Sequence, residues 1–76
     1  MTINQKELLR RISRNLKKLR LQHQYTQEEL IDKLDNSFWL YTYQRYESKN
    51  PTSMKIFNLY QLANFYKVTV DSLFKE

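Results

Sequence analysis

The sequence predicts a small all-α domain, and three observations support that fold class. Four apolar residues of the first segment recur at spacings of four, four and three, which places them on one face of a helix. The four are Leu8, Ile12, Leu16 and Leu19. The chain of 76 residues has no glycine and one proline, Pro51, so it offers little for tight β-hairpins. Thr26 and Glu29 have the spacing of a capping box, which marks a helix start.

The first two helices are predicted at about residues 5–22 and 27–34 of a single domain that spans residues 1–76. The second helix begins directly after the capping residue Thr26. Its inner side is predicted to consist of Leu30, Ile31 and Leu34. The connection between the two helices contains His23, which we interpret as an ordinary loop residue.

A third helix is predicted at about residues 38–48, after a turn at residues 35–37. Asp, Asn and Ser side chains favour turns and helix caps, so Asn36 or Ser37 is expected to cap this helix. Its buried side is predicted to consist of Phe38, Tyr43 and Tyr46.

The fourth helix is predicted at about residues 53–66, with Thr52 or Ser53 as its cap. Its inner stripe is predicted to consist of Ile56, Leu59, Tyr60, Ala63 and Tyr66. A short fifth helix is predicted at residues 70–75, capped by Thr69. The prediction is therefore five helices and no strand.

Composition argues against catalysis, metal binding and membrane insertion. There is no cysteine, and the single histidine, His23, cannot form a metal site alone. A chain without glycine has no glycine-rich phosphate loop, and no nucleophile–base pair stands in a recognisable frame. Apolar runs fall short of the roughly 20 residues that span a bilayer, and the first residues lack a signal-peptide core. We expect a cytoplasmic protein that is not an enzyme and needs no cofactor or metal.

The net charge of +5 is concentrated at the beginning of the chain. Residues 1–24 carry seven basic side chains and one acid, whereas residues 25–76 carry six bases and seven acids. The seven bases are Lys6, Arg10, Arg11, Arg14, Lys17, Lys18 and Arg20. Such a face can be an ordinary solvated helix surface, a surface that steers an acidic protein partner, or a contact for nucleic acid.

Four stretches of the chain, in their order and approximate spacing, share features with one known family. They are residues 12–20, 25–34, 45–52 and 62–74. The second stretch begins Tyr-Thr-Gln-Glu-Glu-Leu, and the third holds Arg45, Tyr46 and Glu47 followed by Asn50 and Pro51. These stretches resemble the first helix, the second helix, the end of the recognition helix and the last two helices of phage-repressor and Cro-type (XRE-like) helix-turn-helix regulators.

The resemblance implies a five-helix regulator that binds operator DNA as a two-fold dimer, in a phage-like or mobile-element genetic switch. In that family the third helix lies in the major groove and the start of the second helix contacts the phosphate backbone. Gln27 aligns with a phosphate-contacting glutamine, although it can also be a plain first-turn residue, and Leu40 aligns with the base-reading face. The expected DNA-binding residues are Gln27, Tyr41, Thr42, Gln44, Arg45 and Lys49.

The third helix departs from this family pattern in its outer residues. Base edges are met by hydrogen-bonding side chains, yet this helix offers Trp39, Leu40 and Tyr41, with Trp39 either exposed or part of the core. The segment 26–50 has three bases and five acids. The turn lacks the family's glycine, and about two extra residues lie between the second helix and Tyr46.

These departures support an alternative, in which the chain is an anti-repressor or modulator. It would bind another regulator protein through its first helix and its aromatic third helix, and block that protein's DNA binding. Trp, Tyr and Arg are enriched among residues that dominate protein interfaces. The expected partner-binding residues are Arg10, Arg14, Lys17, Lys18, Trp39, Leu40 and Tyr41.

Overall fold

A computed structural model describes residues 3–34, 39–51 and 53–76, and within these ranges the chain is helical and has no strand. The elements are α1 (Gln5–Gln22), α2 (Gln27–Lys33), α3 (Leu40–Tyr46), α4 (Ile56–Tyr66) and a 3-10 turn (Asp71–Phe74). The predicted all-α fold class is confirmed. The described residues form four α-helices and one 3-10 turn, whereas the sequence predicted five helices.

Helix α1 has the bounds that the sequence predicted. The side chain of Asn4 accepts a hydrogen bond of 2.8 Å from the backbone N–H of Glu7 and so caps the first turn. The apolar stripe faces inward as predicted, with Ile12 and Leu16 buried and Leu8 and Leu19 packed at the edge of the core. Burial of this stripe, more than local propensity, stabilises the helix.

Helix α2 begins at the predicted capping box. Thr26 Oγ1 accepts a bond of 3.0 Å from the Glu29 N–H, and Glu29 Oε1 accepts one of 2.8 Å from the Thr26 N–H. Leu30 and Ile31 are buried, and the helix packs against α3. It ends at Lys33, one residue earlier than predicted.

Helix α3 is shorter than predicted, because it covers Leu40–Tyr46 and not residues 38–48. At its end, the backbone N–H of Ser48 and its hydroxyl both donate to the carbonyl of Arg45, at 3.2 and 2.7 Å, and this tight turn ends the helix. Tyr43 and Tyr46 are buried as predicted. The predicted turn at residues 35–37, its capping residues and Phe38 lie outside the described residues.

Helix α4 begins at Ile56, three residues later than predicted, so the expected cap at Ser53 is wrong. Its N-terminus is held from another helix. The hydroxyl of Tyr46 accepts hydrogen bonds of 3.0 Å from the Lys55 backbone N–H and from Asn58 Nδ2. The Tyr46 hydroxyl thus takes the place that the N3 side chain has in a capping box, because it accepts a bond from the backbone N–H of the N-cap residue, here Lys55. Thr52, the other predicted cap, lies outside the described residues.

The inner face of α4 is rotated relative to the prediction. Leu59, Ala63 and Tyr66 are buried as expected, but Ile56 and Tyr60 are exposed, and Leu62 takes a fully buried place. Apolar residues occupy nearly every side of this helix, so several rotations satisfy the same sequence pattern equally well. Packing in the shared core selects the rotation that buries Leu62.

The last segment forms a 3-10 turn, Asp71–Phe74, and not the predicted helix at residues 70–75. Thr69 caps it as predicted, with its Oγ1 accepting a 3.1 Å bond from the Ser72 N–H. Asn15 Nδ2 of α1 donates to the carbonyls of Leu73 and Lys75, both at 2.7 Å. These contacts fix the turn against α1. The carbonyls of Leu73 and Lys75 are bound by Asn15 and not by a following helical turn.

Two of the described residues adopt the left-handed backbone conformation although they are not glycine. They are Gln24 after α1 (φ 59°) and Lys67 after α4 (φ 58°). Each costs roughly 1–2 kcal/mol, because the Cβ approaches the following carbonyl. The surrounding packing offsets that cost, so this chain without glycine can still end two helices in the left-handed conformation.

We expect Leu62→Ala to lower the free energy of unfolding by about 2–5 kcal/mol, because it opens a cavity in the core. Tyr60→Ala, which truncates an exposed side chain of the same helix, is the matched control and should change it by about 0.5 kcal/mol or less. Urea denaturation followed by circular dichroism measures both. A larger loss for Tyr60→Ala than for Leu62→Ala would restore the rotation predicted from the sequence.

Candidate functional site

The segment that ends α3 is fixed to α1 by a buried ion pair between Arg20 and Glu47. Arg20 Nε donates to Glu47 Oε2 at 2.8 Å, and Arg20 Nη2 donates to Glu47 Oε1 at 2.9 Å. The third guanidinium nitrogen, Nη1, donates to the carbonyl of Tyr25 at 2.8 Å. The Glu47 side chain is only 4% exposed, so this two-pronged contact is shielded from water.

Two further side chains complete a polar network around Glu47. The Tyr43 hydroxyl donates to Oε2, and Gln27 Nε2 donates to Oε1 at 3.2 Å. The network therefore joins α1, the first residue of α2, α3 and the residue that follows α3. It gives Gln27, predicted to contact phosphate, an internal partner at the junction of the helices.

Sequence reasoning missed this network. Arg20 was counted with the basic surface and Glu47 with the acids of residues 26–50. One signal pointed to Arg20: it stands four residues after Leu16, on the apolar side of α1. Tyr43 and Glu47 are also four residues apart, so their side chains share one side of the chain.

The network fixes the protonation of its members. Burial alone would raise the pKa of Glu47, but hydrogen bonds from Arg20 and Tyr43 outweigh it and lower that pKa below its ordinary 4.5. The bond to Glu47 raises the pKa of Arg20. Burial, and then the bond to Glu47, raises the pKa of Tyr43. The ion pair is therefore charged and the tyrosine neutral throughout the physiological range.

The outer face of α3 carries the aromatic residues that the sequence singled out. Trp39 is 79% exposed and Tyr41 69% exposed, so Trp39 is a surface residue and not part of the core. Arg45, one turn after Tyr41, places its guanidinium carbon 5.8 Å from the centre of the Tyr41 ring. Gln44 is also exposed.

Two other predicted residues of α3 are less accessible. Leu40 is partly buried and packs against the core, so it is a weaker candidate for contact with a ligand. Thr42 is half-buried and lines a shallow groove with Arg45 and Lys55. The accessible outer face of α3 is thus formed mainly by Trp39, Tyr41, Gln44 and Arg45.

A second surface, which we name the α1–α3 groove, runs between α1 and the chain that follows α3. Its lining residues are Arg10, Ser13, Arg14 and Lys17 from α1, and Glu47, Ser48, Lys49 and Asn50 after α3. Ser13 Oγ donates to the Ser48 carbonyl at 3.3 Å, and Arg10 Nη2 donates to Asn50 Oδ1 at 3.3 Å. These bonds hold the two walls together.

The groove brings together residues from both predicted sets. Arg10, Arg14 and Lys17 came from the expected partner-binding set, and Lys49 from the expected DNA-binding set. Lys18 is exposed but does not line the groove, because it points to another side of α1. The basic residues of α1 therefore form two groups: Arg10, Arg14 and Lys17 line the groove, and Lys18 lies outside it.

The structure also changes the charge balance near α3. Glu47 lies within the groove wall, but its charge is compensated by Arg20. The acid Glu7 lies 3.4 Å from Arg14 and compensates part of the groove's charge from outside. The acidic count of residues 26–50 therefore overstates the negative charge that a ligand at α3 would meet.

The described part of the chain was also compared with the requirements of a metal site and of a membrane-spanning helix, and it meets neither. Among residues 3–34, 39–51 and 53–76, no three His, Cys, Asp or Glu side chains gather where they could hold a metal ion. None of the helices in these ranges has the length and apolarity needed to cross a bilayer.

Comparison with known proteins adds no relative. No protein-family model, curated protein or solved structure matches this chain. Membership of the phage-repressor and Cro-type family therefore stays a prediction that rests on the residues quoted above.

We expect Glu47→Gln to lower the free energy of unfolding by about 3–5 kcal/mol near pH 7, because Arg20 is left buried without its counter-charge. The pKa of Glu47 is lowered by folding, so its contribution is complete above the unfolded pKa of 4.5. That contribution is lost as the pH falls through the lower pKa of the folded state. The difference between wild type and variant should therefore shrink in acid.

Urea denaturation at a series of pH values measures this difference. Asp32→Asn, which removes an exposed acid of α2, is the control and should change stability by about 0.5 kcal/mol or less. A Glu47→Gln effect as small as that of the control at every pH would contradict the buried ion pair as a stabilising contact.

Proposed function

We propose that this chain is a transcriptional regulator that binds duplex operator DNA, and that it is a binding protein and not an enzyme. In this proposal α2 and α3 form a helix-turn-helix unit, and α3 enters the major groove. The observation that carries the proposal is the α1–α3 groove, where Arg10, Arg14 and Lys17 of α1 lie beside Lys49 of the segment that follows α3.

The cations support binding to a polyanion. Affinity for DNA depends largely on Lys and Arg placed near phosphates, because each such contact releases condensed counterions. The α1–α3 groove supplies four cations beside the segment that follows α3, and Arg45 and Lys55 line a separate shallow groove at α3 itself. An α-helix with its side chains is about 10–12 Å across, which suits a major groove about 12 Å wide.

The outer face of α3 also carries groups that can read bases. Glutamine recognises adenine and arginine recognises guanine through paired hydrogen bonds, so Gln44 and Arg45 are the base-reading candidates. The ring of Tyr41 lies beside the Arg45 guanidinium and restricts where that group can go. Apolar contact with a thymine methyl is available to Tyr41 and Trp39.

We expect Lys17→Ala and Lys49→Ala to weaken DNA binding nearly equally for all sequences, and each to reduce the log–log salt slope by about 0.9. Lys18→Ala changes the neighbouring residue and removes the same charge from the same helix, but outside the groove. It should leave the slope close to that of the wild type. Fluorescence anisotropy with labelled duplex DNA, titrated with salt, measures the slopes.

The same experiment begins with a pool of random duplexes from which bound sequences are selected. With the selected operator, Gln44→Ala and Arg45→Ala should each reduce sequence discrimination by about 1–3 kcal/mol. The proposal fails if the wild type selects no sequence and binds duplex DNA only weakly, at low salt.

A second candidate function is favoured by the exposed aromatic residues. Monomeric proteins rarely leave large aromatic side chains in water without a use, and Trp39 and Tyr41 are the two most exposed large hydrophobic residues described. We propose as the alternative that α3 binds another regulator protein and blocks that protein's DNA binding. The cations of the α1–α3 groove would then steer an acidic partner.

For this alternative we expect Trp39→Ala to weaken the protein complex by at least about 2 kcal/mol, the loss typical of a buried aromatic anchor. The variant should keep the wild-type circular dichroism, because Trp39 is mostly exposed in the free chain. Affinity capture from the native cells, with wild type and variant compared, identifies the partner. Equal capture of that partner by both forms would count against the alternative.

A further inference from the structure

The shallow groove of Arg45 and Lys55, which we name the α3–α4 groove, lies between α3 and the chain that leads into α4. Its lining residues are Tyr41, Thr42, Arg45 and Tyr46 from α3, and Ser53 and Lys55 before α4. Its volume is about 260 Å³, just below the range of about 300–1,000 Å³ that is typical of small-molecule sites. The groove therefore suits one flat ligand group and not an extended one.

Hydrogen bonds hold the two sides of this groove together. The Tyr46 hydroxyl accepts a bond of 3.0 Å from the Lys55 backbone N–H and another of 3.0 Å from Asn58 Nδ2. Tyr46 is buried, so these bonds are shielded from water. They fix the start of α4 relative to α3, and the groove is formed before a ligand arrives. A preformed site loses less conformational entropy on binding.

Tyr41 provides the groove with an accessible aromatic ring. It is 69% exposed, and the guanidinium carbon of Arg45 lies 5.8 Å from the centre of its ring. Both groups are planar, and both can stack on the face of a nucleic-acid base. Bases in a duplex offer only their edges in the major groove, because their faces are stacked on one another. The flat groups of this groove therefore match an unpaired base better than a paired one.

The other exposed groups of the groove suit the polar parts of a nucleotide. Thr42 and Ser53 carry hydroxyls that both donate and accept hydrogen bonds, as base edges require. Lys55 is exposed and carries a charge that can contact a phosphate. None of the described residues that line the groove is acidic, so no side chain of its wall repels a phosphate. The net charge of +5 also favours a polyanion over a neutral ligand.

We propose that the α3–α4 groove binds an unpaired nucleotide, and that the chain thereby binds single-stranded nucleic acid. The base stacks on Tyr41 and Arg45, and a phosphate beside it contacts Lys55. Stacking accepts every base, because each has a π-face, so this binding depends little on sequence. The activity goes beyond the proposed recognition of operator DNA. Because both use α3, a bound single strand and a bound duplex exclude one another.

The experiment measures binding of the full chain to a labelled single strand of about 12 thymidines, without duplex DNA, by fluorescence anisotropy. A strand of uridines of the same length distinguishes RNA from DNA as the source of the unpaired base. The wild type should bind at least one of the two strands. Tyr41→Leu removes the ring but keeps an apolar side chain, and it should weaken binding about fivefold or more.

Two control variants separate stacking from other effects. Tyr41→Phe keeps the ring and should bind like the wild type. Tyr60→Leu makes the same change as Tyr41→Leu at an exposed tyrosine of α4 outside the groove, and it too should bind like the wild type. Because the ligand is single-stranded and no duplex is present, failure of this proposal and failure of the proposed function are distinguishable.

Circular dichroism shows whether the variants fold. If Tyr41→Leu does not fold, Lys55→Ala tests the same groove and should reduce the log–log salt slope for the single strand by about 0.7, whereas Lys18→Ala, outside the groove, should not. A wild type that binds neither strand at about 50 mM salt overturns the proposal. So does a Tyr41→Leu effect no larger than that of Tyr60→Leu, a Tyr41→Phe loss equal to that of Tyr41→Leu, or a Lys55→Ala slope equal to that of the wild type.

Discussion

The bidentate contact between Arg20 and Glu47 joins α1, the longest described helix, to the residue that directly follows α3. Around it, Tyr43 and Gln27 bring in α3 and the start of α2, and the Tyr25 carbonyl brings in the connection after α1. A buried ion pair is not in itself a large source of stability, because both charges lose their hydration. Its directional bonds instead fix the position of the residue after α3 relative to α1 and to the start of α2.

This arrangement also explains how a chain with many acids after residue 25 presents cations beside α3. The carboxylate of Glu47, directly after α3, is buried and its charge is compensated by Arg20, while Lys49 two residues later stays exposed. The other groove cations, Arg10, Arg14 and Lys17, come from α1, a helix that carries most of the net charge. The electrostatic character of the surface therefore depends on which helix lies beside α3, and not on the charge of the segment that contains it.

Features that depend on local residues were predictable from the sequence. The bounds of α1, the capping box of α2 and the cap at Thr69 involve residues at most three or four apart. The beginning of α4 was not predictable, because the oxygen that binds the backbone N–H of its N-cap residue, Lys55, belongs to Tyr46, nine residues earlier in the chain. The rotation of α4 was not predictable either, since nearly every side of that helix is apolar. Only the tertiary packing determines that Leu62 is buried and Tyr60 exposed.

The same difference between local features and long-range contacts applies to the candidate site. The basic residues of α1 and the aromatic residues of α3 were recognised one by one, from their types. The groove that joins the basic residues of α1 to Lys49 depends on the contacts of Ser13 with Ser48 and of Arg10 with Asn50, which join residues 35 and 40 positions apart. No pattern within a single helix could reveal those contacts, nor the pairing of Arg20 with Glu47 across 27 positions.

The way α3 is anchored has a consequence for the thermodynamics of binding. A free helix of about two turns is unstable in water, because too few hydrogen bonds offset the cost of starting it. Here Tyr43 and Tyr46 are buried, and their hydroxyls hold Glu47 and the start of α4. The conformational entropy of α3 is thus lost when the domain folds and not when a ligand arrives. A ligand that meets this rigid surface has to immobilise only a few exposed side chains, so more of its contact energy remains as affinity.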